Sequence, residues 1–177
     1  MQIESNFVVK EIDRPEGFPA LIQITKYRET LQNIVLGTDV APIPIASMGL
    51  PFAIPCSAHW DYGCLSGHYV PPPHAVMPTG NLFGGYLTGL VDQWAGLAVY
   101  SVLPDALQIL TVNINMNFTA RACAKETRIQ ASVIDLTERK AIVQVLAWQL
   151  DVLLFDATVT EVLKPWAVRP PTGSVKQ

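Results

Sequence analysis

A chain of 177 residues has room for one ordinary domain, or one domain with an extra arm. Half of it is hydrophobic and only 15% is charged, against about 25% in average soluble domains, which excludes a disordered chain and favours an oligomer that hides apolar area. Twelve Lys and Arg against 15 Asp and Glu give a net charge of −3 with no basic tract, so nucleic acid is not an expected partner.

The N-terminal stretch, Met1 to Arg14, mixes Glu, Asn, Lys and Asp and lacks the apolar core of a secretion signal. No apolar run reaches the roughly 20 residues that a membrane span needs. Cys56, Cys64 and Cys123 are odd in number and lack metal-ligand spacing, so a reducing compartment is expected. Together these features point to a cytoplasmic protein with no membrane partner.

Residues 26–36 suit a short amphipathic helix, with Tyr27, Leu31, Ile34 and Val35 on one face and Gly37 just past its end. Residues 1–25 are then an N-terminal extension. The Pro-rich connection from Ala41 to Pro55 cannot be a central strand. Residues 57–70 are expected to form one bent strand, interrupted at Gly63 and Gly67. Gly84 to Ser101 is the one long helix, since Leu87, Leu90, Val91, Trp94, Leu97 and Ala98 recur at helical spacing and Pro104 closes the region. Its other face is small (Gly85, Thr88, Gly89, Gly96) except for Asp92.

Four strands follow. From Leu110 to Phe118 the alternation sets Leu110, Val112, Ile114, Met116 and Phe118 against Thr111, Asn113, Asn115 and Asn117. Thr127–Ile134, Ala141–Leu150 and Leu153–Leu163 read as a meander joined by charged turns. Residues 165–177 are read as the C-terminal tail, polar from Pro170 and Pro171 onward. The fold class is α+β, an antiparallel sheet packed on one dominant helix.

Asp92 is the only acidic residue between Asp61 and Asp105. A mid-helix carboxylate in an apolar setting costs free energy unless it is partnered. It is either partly exposed, paired across a subunit interface, or held for nucleophilic or general-base work. Gly84 and Gly85 open the helix, where free N–H groups at its positive end can stabilise an oxyanion. A tight turn would need the same glycines. Asp92 follows Gly84 by eight residues, about 12 Å at 1.5 Å per residue. No Asp side chain spans that gap, so a shared site requires two chains and predicts a symmetric dimer.

The segment Met77-Pro78-Thr79-Gly80-Asn81-Leu82-Phe83-Gly84-Gly85, with Asp92 seven residues on, resembles the signature of hotdog-fold acyl-CoA thioesterases of the phenylacetyl-CoA and 4-hydroxybenzoyl-CoA type. The pattern Gly37…Pro42-Ile43-Pro44…Gly49, the run Thr111 to Phe118 before Arg121, and the turn Glu138-Arg139-Lys140 are similar to that family as well. The resemblance spans about residues 27–164, with the hotdog domain taken as 26–164. It implies a sheet wrapped around one long central helix, with the helical and Pro-rich segments as an N-terminal addition.

It implies an acyl-CoA or acyl-carrier thioester as substrate, with a homodimer that can pair into a tetramer. Asp92 would be nucleophile or general base, and the Gly84 N–H the oxyanion donor. The CoA arm would follow Thr111, Phe118 to Arg121, and Thr137 to Lys140. Arg121, Arg139 and Lys140 could meet phosphates, or be solvated surface cations. Three positions depart from the signature: Phe83 stands for a His, Met77 for an Asn or Gln, and Gly96 for a Ser or Thr. These residues, with Gly85 and Tyr86, are candidate acyl-pocket residues; Trp94 is a candidate for the same pocket or, more in keeping with its place on the helix, for the helix-to-sheet core. His59, His68, His74 and Asn81 lie where they could compensate. No metal or other cofactor is expected, since the three His lack a ligand set. A non-hydrolytic acyl-CoA binding protein and a biosynthetic hotdog enzyme acting on a carrier-bound acyl or polyketide chain are the alternatives.

Overall fold

The computed structural model describes residues 12–20, 22–36 and 57–166. In chain order it has α1 (Lys26–Leu36), β1 (Ser57–Asp61), β2 (Cys64–Tyr69), a single 3-10 turn (Pro73–Ala75), α2 (Gly84–Tyr100), β3 (Leu107–Phe118), β4 (Thr127–Leu136), β5 (Lys140–Gln149) and β6 (Val152–Pro165). The six strands form one antiparallel sheet in the order β1-β2-β4-β5-β6-β3. Gly37, the proline-rich stretch 41–55 with its Pro42, Ile43, Pro44 and Gly49, Cys56, and the tail from 167 lie outside the described residues.

Helix α2 lies on the inner face of the sheet. Leu87, Leu90, Val91, Trp94, Leu97 and Ala98 are all buried, as their spacing predicts. Against them stand Ile129, Ala131 and Val133 of β4, Ala141, Val143, Val145 and Ala147 of β5, and Phe155, Ala157 and Val159 of β6. The alanines let the helix approach the sheet closely, and the larger side chains fill the space between them. Full burial of each Val, Leu or Phe contributes roughly 2–3 kcal/mol. The helix ends at Ser101, whose hydroxyl bonds to the Ala98 carbonyl at 2.6 Å and accepts the Gly63 N–H at 2.7 Å.

Helix α1 packs its predicted face, Tyr27, Leu31 and Ile34, into the same core. Its start is held twice. The Thr25 hydroxyl accepts the Arg28 N–H at 3.2 Å, and Asp105 accepts the Lys26 N–H at 2.9 Å. Arg28 is buried and donates to the carbonyls of Ser101 (2.7 Å), Ala20 (2.6 Å) and Gln23 (2.5 Å), tying α1 to the end of α2. Within the first 25 residues, Phe18 is buried and Ile12 packs against the core.

Two expectations need correction. Residues 57–70 are a two-strand hairpin, not one bent strand. Gly63, at φ +72, makes the turn, while Gly67 sits inside β2 opposite Ala58 and does not interrupt it. Strand β3 does not alternate evenly from Leu110. A bulge between Thr111 and Asn113 shifts its register on β6. Ile109 and Thr111 before the bulge share the inner face with Ile114 and Met116 after it, because their partners Leu163, Glu161, Val159 and Ala157 are all buried. Leu110 and Val112 are exposed instead. No described helix is long and apolar enough to cross a membrane.

Candidate active site

The chain enters α2 through a tight structure. Residues 76–82 form a small hairpin, closed by the Val76–Leu82 bridge and by Gly80 at φ +80. The Leu82 N–H bonds to the Ala122 carbonyl at 2.8 Å, and the Phe83 N–H to the Ala75 carbonyl at 2.9 Å. The Gln149 amide holds the 123–127 loop on the other side, donating to Cys123, Lys125 and Thr127 and accepting the Cys123 N–H. Met77 lies in the hairpin, and Phe83 is the residue before the helix.

Phe83 offers no side-chain cap to the first turn. The N–H groups of that turn have no carbonyl partner within the helix. Gly84 leaves this end open: a Cβ built there would meet only the Phe118 ring, at 3.6 Å. Gly85 is constrained differently. A Cβ on it would lie 2.5 Å from the Phe83 ring, which folds back over the glycine. Phe83, Phe118 and Met77 are all exposed. They give this end of the helix an apolar rim, with Phe83 and Met77 standing where the signature that the segment resembles has polar groups.

Asp92 is a little over two turns further along α2, partly exposed. Its Oδ1 accepts the Thr111 hydroxyl at 2.7 Å. The same hydroxyl oxygen lies 3.1 Å from each carboxylate oxygen of Glu161. Glu161 is fully buried on β6. Burial pushes its carboxyl up to about 7; the Thr111 bond opposes this and the Asp92 charge adds to it. A cavity of about 130 Å³ opens here, lined by Asp92, Gln93, Gly96, Tyr100, Thr111 and Glu161 among others. Burial and the Glu161 carboxyl raise the Tyr100 phenol as well.

The sequence-based candidates thus fall into two groups at the two ends of β3. Asp92, Gly96 and Thr111 come together at one end. The turn with Thr137, Arg139 and Lys140 is nearby, since Lys140 pairs with Val162 and the Leu163 N–H bonds to the Arg139 carbonyl. Lys140 makes an exposed ion pair with Asp135 at 3.4 Å. Met77, Phe83, Gly84, Gly85 and Phe118 gather at the other end, with exposed Arg121 just beyond. Thr111 and Phe118 are seven positions apart on β3, roughly 20 Å.

Tyr86 is buried in the core, and burial pushes its phenol up to about 12. Trp94 is buried as expected. No histidine lines the Asp92 cavity. His59 and His74 are exposed, His68 pairs with Glu126 at 3.2 Å, and the Asn81 amide donates to Thr79. Among the described residues no cluster of three His, Cys, Asp or Glu could hold a metal.

Glu161 is the site residue that the sequence reading missed. Its signal is present in β6. Phe155, Ala157, Val159, Glu161 and Leu163 share one phase of the alternation, so Glu161 is a carboxylate in an inward, otherwise apolar row.

Residues 79–155, which include Gly84, Asp92 and Thr111, match the model of the Thioesterase superfamily. The fold is the hotdog fold: a long helix held in an antiparallel sheet, shared with solved thioesterase structures. A phenylacetic acid degradation-related protein of Ralstonia eutropha superposes with a TM-score of 0.62 at 23% identity, over 75% of this chain and 98% of its own. A hypothetical thioesterase from Streptococcus pneumoniae, solved with coenzyme A, gives 0.56 at 21% identity, over 60% and 83%. A Streptococcus mutans protein bound to acetyl CoA gives 0.55 at 19%, over 60% and 86%. No curated protein matches the chain in sequence.

Proposed function

We propose that this protein hydrolyses an acyl thioester, with coenzyme A as the favoured carrier, in a site completed by a second copy of the chain. The carrying observation is Asp92, a carboxylate at the mouth of a helix–sheet cavity with one oxygen held by Thr111. The coenzyme A and acetyl CoA in two relatives of the same fold support a CoA ester. An acyl-carrier protein thioester presents the same reacting bond.

Gly84 and Asp92 lie too far apart on one helix to hold one carbonyl. β3 is an edge strand of the described sheet, 12 residues long, with Leu110 and Val112 exposed along it. Such an edge is a template for pairing with another strand. Antiparallel pairing of two β3 strands about a twofold axis would bring the Gly84 end of one copy near the Asp92 end of the other.

In this reading the Gly84 N–H holds the thioester oxygen. Asp92 of the second copy either attacks the carbonyl carbon or takes a proton from a water that does. The tetrahedral oxyanion is stabilised at the helix N-terminus. Its collapse breaks the C–S bond, the thiolate leaves and is protonated, and the carboxylic acid remains; an acyl-aspartate, if formed, is released by water. The exposed rings of Phe83 and Phe118 suit an aromatic or fatty acyl group.

The test is free-thiol release from a panel of aryl- and alkyl-CoA thioesters, with wild type beside Asp92→Asn. Wild type is expected to turn over at least one ester, and the variant to lose about 100-fold or more. Full activity in the variant would remove Asp92 from the chemistry. Saturable binding of the esters without turnover by either protein would favour the non-hydrolytic acyl-CoA binding protein, the reading to which Phe83, Met77 and Gly96 lend weight.

A further inference from the structure

Glu161 has no part in the mechanism above, yet it is a fully buried carboxyl group joined to Asp92 through one hydroxyl. The Thr111 oxygen lies within hydrogen-bond distance of three carboxylate oxygens, at 2.7, 3.1 and 3.1 Å. A hydroxyl carries one hydrogen and can donate it to only one of them. The remaining contact to a carboxyl is favourable only if that carboxyl brings its own proton. Two ionised carboxylates on one hydroxyl would leave a buried anion unpartnered, which is costly.

We infer that Glu161 is a positioning residue for Asp92: as a neutral carboxylic acid it donates to Thr111 Oγ1 and so turns the Thr111 hydrogen onto the Asp92 carboxylate. This rests on the reading of Asp92 as the reactive carboxylate.

Burial assigns the proton to Glu161, because Asp92 is partly exposed and Glu161 is not. The groups around Glu161 agree. From α2 it faces Asp92, Gln93 and Tyr100; from β3, the Thr111 hydroxyl; and opposite it on β5 is Ala141. None of these is a cation. Arg139 and Lys140 are at the neighbouring turn, where Lys140 is engaged with Asp135. The Glu161 carboxyl, raised to about 7, therefore changes state near neutrality. When it ionises, it becomes a competing acceptor for the Thr111 hydrogen and a second negative charge beside Asp92.

Carboxyl-13C titration of the intact protein, labelled at Asp and Glu, reads this directly. Asp92→Asn and Glu161→Gln assign the two signals. The expected result is a Glu161 signal with its midpoint near neutrality and an Asp92 signal that shifts with the same midpoint. The Asp92 step should vanish in Glu161→Gln, whose amide donates to Thr111 without titrating, and shrink in Thr111→Val.

Kinetics give a second readout. Wild-type kcat/KM should fall about tenfold on the alkaline side as the oriented hydrogen bond to the Asp92 carboxylate is lost. In Glu161→Gln that limb should disappear, whatever the height of the plateau.

Stability follows with a definite sign. The folded protein holds the Glu161 proton more tightly than the unfolded chain, whose carboxyl has the usual value near 4.5. This group costs no stability below about 4.5, and stability then falls as pH rises to about 7. The gap in melting midpoint between Glu161→Gln and wild type should therefore widen toward pH 8.

A Glu161 signal that titrates at the usual Glu value, or an alkaline limb retained in Glu161→Gln, would overturn the inference. If wild type hydrolyses no thioester, the thioesterase reading falls by itself. The carboxyl titration still decides whether Glu161 holds the proton and whether Asp92 senses it.

Discussion

At the scale of single residues, the two groups proposed to meet the thioester differ in how cleanly they can be removed. A backbone N–H is usually beyond mutation, but Gly84 is the first residue of its helix, a position where proline is well accepted. The preceding Phe83 has φ −68 and ψ 129, the extended backbone that a following proline requires. Gly84→Pro should therefore fold with a near-normal melting midpoint while losing about 100- to 1,000-fold in kcat. A folded Gly84→Pro with full kcat would take the oxyanion role away from this N–H.

Asp92 and Gly84 stand out in the sequence as candidates for a physical reason. One is a charge in a long uncharged stretch, and the other opens a long amphipathic pattern. Glu161 was harder to see. Its neighbours Thr160, Val162 and Lys164 mix polar and apolar groups, so its phase in the alternation had to be followed across the whole strand. That no cation among the described residues of α2, β3 and β5 faces it depends on the three elements together. The inward turn of the Thr111 hydroxyl depends in the same way on its pairing with Glu161.

At the scale of elements, α1, α2 and the β4–β6 meander are legible from period and from the residues that bound them, because each buries one continuous face. The β1–β2 hairpin could not, since both strands are short and the glycine that matters for packing is not the one that turns. Gly67 marks where this hairpin closes over α2. A Cβ there would meet the Ser57 carbonyl oxygen at 2.4 Å and the Trp94 ring at 3.0 Å. Neither can retreat easily, as one is strand backbone and the other a buried indole. Gly67→Ala should cost about 1–3 kcal/mol and lower the melting midpoint by roughly 5 °C, as calorimetry would show. An unchanged midpoint would mean that the hairpin moves freely over the helix.

At the scale of the whole molecule, the separation of the two proposed site halves along β3 implies, if they share one thioester, a second copy of the chain. Mixing tests it. Equal amounts of Asp92→Asn and Gly84→Pro protein, unfolded and refolded together, should form about half mixed dimers. Each mixed dimer would have one intact site, so about a quarter of wild-type activity should return. Neither variant should recover alone. No recovery in verified mixed dimers would place both halves of the site within one protomer. The low charged fraction of the chain suggests a hidden apolar surface, and Leu110, Val112 and Phe118 are exposed along β3.

The bulge in β3 also bears on ancestry. Val112 is a supernumerary residue: without it, Thr111 and its successors would still meet Glu161 and Thr160 in turn, and each inward side chain would stay inward. The strand can thus gain or shed one residue at this point without turning its lining inside out. A relative that never acquired the insertion would keep the same interior while its numbering slipped by one from there onward. Homology across β3 is therefore carried by the partners on β6 rather than by count, and an alignment drawn on alternation alone would pair the wrong residues on one side of the insertion.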